Sequence, residues 1–224
     1  MKQTILITGA NRGIGLELTK RYLEEGHKVF ALCRKTSPEL KGLSAEVIEG
    51  CDVANLSSLQ KIAREIAGVQ FDLLICNAGV LNDEQIMKLE EADFESMLYQ
   101  FNVNSLGPLR TFSTFRRHLT NGAKVAMITS RMGSISDNTS GGHYGYRMSK
   151  TALNMATRSL VKDFANDGIL FGLFHPGWVQ TEMTGHTGQL TAEESSRLLT
   201  KRISDLTSDN SGGFWHCNGE ELQW

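Results

Sequence analysis

The chain has 224 residues, of which 40% are hydrophobic and 21% charged, and a formal net charge of −2. A chain of this length buries roughly 70% of its unfolded surface, so one core forms without disulfide or metal staples. The near-neutral charge leaves no electrostatic footprint for nucleic acid or an anionic membrane, and no apolar run approaches the roughly 20 residues of a membrane span. Cysteines 33, 51, 76 and 217 lack metal-ligand spacing, and three of them close apolar runs. They read as reduced, buried thiols, and no metal is expected. The first apolar run begins at once, with no secretory leader before it, so the expected location is the cytoplasm.

Taken in chain order, residues 4–8, 28–33, 45–50, 71–76, 124–129 and 169–174 are short β-rich runs. Stretches of helical period lie between them near 14–25, 56–67, 91–119 and 144–166. The strands are apolar throughout rather than alternating, as a sheet covered on both faces requires. The pattern predicts an α/β fold: a Rossmann-like, doubly wound parallel sheet with helices on both faces, in a single domain over 1–224. With three prolines and no low-complexity tract, nothing divides the chain. Ligands of such sheets bind at the carboxyl ends of the strands.

The first strand runs into Thr8-Gly9-Ala10-Asn11-Arg12-Gly13-Ile14-Gly15. A glycine-rich turn from strand to helix presents free backbone N–H groups and the positive end of the helix dipole to an anion, and glycines let a pyrophosphate approach the backbone. About twenty residues on, where an NAD site places an acid for the ribose 2′-hydroxyl, the sequence reads Cys33-Arg34-Lys35. Arg34 and Arg12 would supply two guanidinium groups to a 2′-phosphate, which predicts NADP(H) rather than NAD(H).

Tyr146 and Lys150 are spaced Y-x-x-x-K, one turn apart on one face of the helix near 144–166. The strand before that helix delivers Ser130 to the edge of the sheet that carries the glycine loop. Hydroxyl, phenol and ammonium would then meet beside the cofactor.

These residues, with Asp52-Val53, Asn77-Ala78-Gly79, Asn104 and Pro176-Gly177-x-Val179-x-Thr181 in the same order, resemble the short-chain dehydrogenase/reductase family over essentially the whole length. Within it, Arg34, the run GGHYGYRMSKTALN and the ending SGGFWHCNGEELQW are similar to small carbonyl reductases of the sniffer and C-factor type. The resemblance implies an NADPH-dependent oxidoreductase that moves a hydride between the nicotinamide and a small carbonyl or alcohol, with Tyr146 as general acid/base. Lys150 and the oxidised nicotinamide would lower the tyrosine pKa by about 3 units from 10.

It further implies that Ser130 orients the carbonyl and that Asn104, rather than Asn102, holds a water beside Lys150. Lys150 would also bind the nicotinamide ribose, Thr181 the carboxamide, and Asp52 with the Val53 backbone the adenine. Gly9, Asn11, Gly13, Ile14 and Gly15 would carry the phosphates, and Asn77, Ala78 and Gly79 would line the ribose. A homodimer through helices near 105–119 and 144–166 is the family's arrangement. Ser130 and Tyr146 are 16 residues apart, three more than the family interval, which leaves Ser134 and Ser136 as alternatives. Met132, His143, Tyr144, Trp178 and Met183 are candidates for the pocket wall, built from segments 80–90, 132–144 and 178–190. His143 and His175 receive no catalytic role. The other readings are an NADP(H)-binding sensing or signalling module with little turnover, and an NAD-dependent alcohol dehydrogenase.

Overall fold

Apolar runs bounded by glycine and polar turns form the strands β1 (Thr4–Thr8), β2 (Lys28–Leu32), β3 (Glu46–Ile48), β4 (Phe71–Cys76), β5 (Leu119–Ile128), β6 (Leu170–His175) and β7 (Phe214–His216) of a computed structural model that describes residues 2–82 and 93–224. They pair in the order β3-β2-β1-β4-β5-β6-β7, and every pairing is parallel. The intervening helices are α1 (Gly13–Glu24), α2 (Pro38–Lys41), α3 (Leu56–Glu65), α4 (Phe94–Phe101), α5 (Gly107–Phe115), α6 (Tyr144–Asp163) and α7 (Ala192–Ser204). The strand order reverses between β1 and β4, and the crevice at their carboxyl ends is where such a sheet accepts a ligand.

Alternate residues of each strand feed two cores. Ile5, Ile7, Val29, Ala31, Leu73 and Ile75 face Leu16, Leu18 and Tyr22 of α1 and Leu199 and Ile203 of α7. Leu6, Phe30, Leu74, Val125, Met127 and Phe171 face Leu59 and Ile62 of α3, Phe112 and Phe115 of α5, and Leu153 of α6. Both faces of the central strands are therefore buried, which is why their sequences show no polar alternation.

Three features differ from the sequence expectation. A seventh strand, β7, and its crossover helix α7 extend the sheet. Helix α7 begins with a reciprocal capping box between Thr191 and Glu194, and its buried face includes Ser195 and Ser196, which mask the apolar period. The stretch expected as one helix over 91–119 is α4, a π-helical turn at Asn102–Leu106, α5 and a 3₁₀ turn at Arg116–His118, and Leu119 already belongs to β5. Pro108 causes the break, because it has no N–H for the Asn104 carbonyl four residues earlier and its ring crowds that carbonyl. Residues 83–90 of the expected pocket segment and 91–92 of the expected helix lie outside the described residues.

Candidate active site

The glycine loop is held open by backbone geometry that side chains disfavour. Gly9 and Gly13 have φ of +67° and +53°, and a Cβ on Gly15 would stand 2.2 Å from the Gly9 carbonyl oxygen and 2.5 Å from Asn77 Nδ2. Asn77 fastens the loop to β4 by donating from Nδ2 to the carbonyls of Thr8 and Gly9, each at 3.1 Å. Thr8 Oγ1 in return accepts the N–H groups of Asn77 and Ala78 at 3.1 and 3.2 Å. Asn11 Nδ2 donates to the Lys35 carbonyl at 3.0 Å and so ties the loop to the turn that carries Arg34.

A cavity of about 830 Å³ opens above these elements. Gly9, Asn11, Arg12, Gly13, Ile14 and Gly15 form one side of it, and Arg34, Asp52 and Val53 close one end. Asn77, Ala78 and Gly79 lie along its floor, and Tyr146, Lys150, Pro176 and Thr181 close the other end. A smaller cavity of about 430 Å³ adjoins it and contains Ser130, Gly177 and Val179, with Met132, Trp178 and Met183 in its wall. Tyr146, Thr129, Pro176 and Thr181 line both spaces. His143 and Tyr144 are not among the residues that line either one.

Arg12 has a partner that the sequence did not announce. Its guanidinium is paired with Glu182, in the 3₁₀ turn that follows Thr181, and like Arg34 it lines the larger cavity. Glu182 carried no signal in the sequence, being one exposed acid in a polar loop.

The β5–α6 connection decides which serine reaches the phenol. Ser130 caps the 3₁₀ turn Arg131–Gly133 by accepting the Met132 N–H at 3.2 Å, and it lines the smaller cavity together with Tyr146. Ser134 and Ser136 are turned toward each other at 3.3 Å, and Ser136 Oγ donates to the Trp224 carbonyl at 2.8 Å. The three extra residues are thus absorbed beyond Ser130, and Ser130 is the serine at Tyr146.

Burial is the main influence on the two ionisable groups. It pushes the Tyr146 phenol up to about 12, against the opposing pull of the Ser130 hydrogen bond. It brings Lys150 down to about 8. The sequence expectation of a tyrosine lowered by Lys150 is not met in the protein alone. Lys150 Nζ donates to the Ile128 carbonyl at 3.0 Å and stands 5.7 Å from the tyrosine ring centroid, and desolvation of the phenol outweighs the other influences on it.

Asn104 lines neither cavity and lies fully buried behind them. Its Oδ1 accepts the Val80 N–H at 2.8 Å, and its Nδ2 donates to the Val80 carbonyl at 2.8 Å and to Ser149 Oγ at 3.0 Å. Asn104 Oδ1 and Lys150 Nζ nevertheless converge over Gly79, at 3.2 and 3.7 Å from where a Cβ on that glycine would stand. Asn102 instead accepts from Arg110 at 2.8 Å.

Among the described residues there is no cluster of three or more His, Cys, Asp or Glu able to hold a metal ion, and no helix is long and apolar enough to cross a membrane. All four cysteines are free and buried.

The short chain dehydrogenase family model matches residues 3–191. The 1-hydroxy-2-glutathionyl-2-methyl-3-butene dehydrogenase of Rhodococcus sp. (strain AD45) is 37% identical over 227 residues, covering 99% of each chain. Carbonyl reductase Sniffer of D. melanogaster has a similar structure, with a TM-score of 0.91 at 29% identity over all of both chains. The NADPH-bound carbonyl reductase from chicken fatty liver gives a TM-score of 0.89 at 29% identity, covering 100% of this chain and 99% of that one. Sheet order, glycine loop and family match agree along the whole crevice, and the chain belongs to the short chain dehydrogenase family.

Proposed function

We propose that this oxidoreductase uses NADP(H) to reduce a small carbonyl compound, with Tyr146 as the proton donor. The observation that carries the reading is the position of Tyr146 in the shared wall of the two cavities, with Ser130 lining the smaller one beside it and Lys150 one turn away. A cofactor in the larger space and a substrate in the smaller one meet there. The larger space suits a dinucleotide by volume and by its glycine cradle, where a Cβ on Gly15 would collide with backbone. NADPH in the chicken carbonyl reductase and the exposed Arg34 at the far end of the cavity support the phosphorylated form.

When bound, the nicotinamide supplies the hydride. Ser130 would orient the substrate oxygen and share the charge that develops on it. Tyr146 would donate its proton to that oxygen. Burial keeps the phenol protonated at neutral pH, as a donor in the reductive direction must be. Lys150 would hold the nicotinamide ribose and add its positive charge as the tyrosinate forms. Asn104 keeps the Val80 backbone and Ser149 in register with Lys150, and the gap over Gly79 is where a relay water would stand. Asp52 and Val53 would meet the adenine, and Thr181 the carboxamide.

The exposed Leu106 at the start of 105–119 and Met148 and Met155 on α6, at 36%, 53% and 69%, support a homodimer through the helices near 105–119 and 144–166. Four free, buried thiols suit a reducing compartment such as the cytoplasm.

The test is NADPH oxidation by the purified protein with a panel of aromatic aldehydes and diketones, beside the Tyr146→Phe variant. Turnover should fall about 10²–10⁴-fold in the variant while NADPH affinity stays within about threefold. Wild-type rates in Tyr146→Phe would remove the proposed acid.

A further inference from the structure

The smaller cavity beside Tyr146 has an apolar body, with Met132, Trp178 and Met183 in its wall, and three formal charges: Arg131, Asp137 and Arg147. Arg131 is matched by Asp137 at 3.6 Å and Glu220 at 3.0 Å. Among the described residues no carboxylate lies within ion-pair distance of Arg147. Its guanidinium is instead positioned by neutral acceptors: Nε donates to the Gly142 carbonyl at 3.2 Å and Nη2 to Ser140 Oγ at 2.9 Å. The side chain is half-buried and therefore partly desolvated.

Its place on the helix adds to the imbalance. Arg147 sits at the start of α6, where the free N–H groups already present positive potential, and the first turn contains no acidic residue. A cation there is disfavoured by the helix unless an anion joins it.

His175 gives an independent indication. It lines the same cavity, its Nδ1 is buried without a partner, and burial with the nearby His216, Arg131 and Lys150 brings its pKa down to about 3. The ring is neutral, and a neutral imidazole carries one N–H, so His175 brings an uncharged donor to the cavity wall. A cavity with a neutral donor imidazole and a fixed guanidinium that no carboxylate among the described residues pairs is built for an acceptor that brings its own negative charge.

We infer that the substrate of this site is a carbonyl compound bearing a carboxylate on an apolar body, with Arg147 holding the carboxylate while the carbonyl meets Ser130 and Tyr146. This rests on the reductase reading above. A bidentate guanidinium–carboxylate contact, partly screened from water, corresponds to roughly tenfold or more in selectivity over an uncharged isostere.

The experiment compares acids with their methyl esters under NADPH: 4-carboxybenzaldehyde against methyl 4-formylbenzoate, and 4-oxobutanoate against its methyl ester. In the wild-type protein kcat/KM should favour the acid of at least one pair about tenfold. In Arg147→Gln that acid-to-ester ratio should fall toward one, and Arg147→Lys should restore part of it. Esters reduced as well as acids in both pairs, or an acid preference that survives Arg147→Gln, would overturn the inference and leave the reductase reading intact. No reduction of any of the four would overturn the inference, and the reductase reading falls with it only if the panel of aromatic aldehydes and diketones is also left unreduced. The wild-type comparison needs no variant to fold.

Discussion

Arg12, in the glycine loop, and Glu182, in the turn after β6, form an ion pair that joins the two sides of the cofactor cavity. Both side chains are more than 60% exposed, so the pair is worth at most about 1 kcal/mol. That is nonetheless the range in which a ligand phosphate competes. If Arg12 serves a 2′-phosphate, it must first leave Glu182, and the carboxylate weakens NADPH binding by the cost of that exchange. Glu182→Gln should tighten NADPH binding by up to about fivefold, by fluorescence titration at low salt, and leave NADH unchanged. Equal gains for both nucleotides would place Arg12 at the pyrophosphate instead.

Arg34 offers the complementary case. It is exposed, lines the far end of the cavity, and follows Cys33, the residue after the end of β2, where an acidic residue would select the unphosphorylated nucleotide. Arg34→Asp replaces a cation by an anion at that position. NADPH affinity should fall at least tenfold while NADH affinity rises or holds, measured by titration of each nucleotide. An unchanged NADPH affinity would remove Arg34 from the phosphate site.

How far the sequence could be read follows from the kind of signal each residue carries. Strands β1, β2, β4 and β6 and the second half of β5 are apolar runs because both faces are buried, and a run survives any error of register. The glycine loop and the Tyr146–Lys150 pair were readable because backbone strain and helical spacing limit the residue types allowed. Helix α7 was hidden, since Ser195 and Ser196 occupy buried positions that the apolar period assigns to larger residues. Strand β7 was hidden by its length of three residues. The partners Glu182 for Arg12, Ile128 for Lys150 and Ser149 for Asn104 come from other elements, and no local pattern announces them. The rise of the Tyr146 pKa was unreadable for the same reason: spacing shows that Lys150 is near, whereas desolvation depends on everything packed around the phenol.

Asn104 separates a structural contribution from a chemical one. All of its amide hydrogen bonds run to Val80 and Ser149 inside the protein, and it has no exposed surface. Asn104→Ala leaves the Val80 N–H and carbonyl without these partners, at a cost of about 2 kcal/mol, or roughly 4–8 °C in Tm for a chain of this size. Asn102→Ala loses only a contact with Arg110 and should lie within about 0.5 kcal/mol of the wild type. Thermal melts of the two variants should therefore differ clearly. Equal melting temperatures would mean that the Val80 backbone finds other partners.

The Lys150 shift makes a prediction about stability that needs no substrate. Its pKa is near 8 in the folded protein and 10.5 in a solvated chain, so between these values the unfolded chain holds a proton that the folded one has released. Stability therefore rises with pH across that window, and the gain is lost as pH falls through 8. Buried thiols act in the opposite sense. Cys51 and Cys76 are pushed up to about 12 and Cys217 to about 11 from an ordinary 9.0, so the unfolded chain loses protons first and stability falls above pH 9. The lysine acts with little opposition only between pH 8 and 9. There the unfolding free energy of the wild type, relative to that of Lys150→Met, should rise by about 1 kcal/mol in denaturant titrations without nucleotide. Parallel curves for the two proteins across that interval would mean that Lys150 keeps its proton in the folded state, and that the ammonium beside Tyr146 is charged throughout the working pH range.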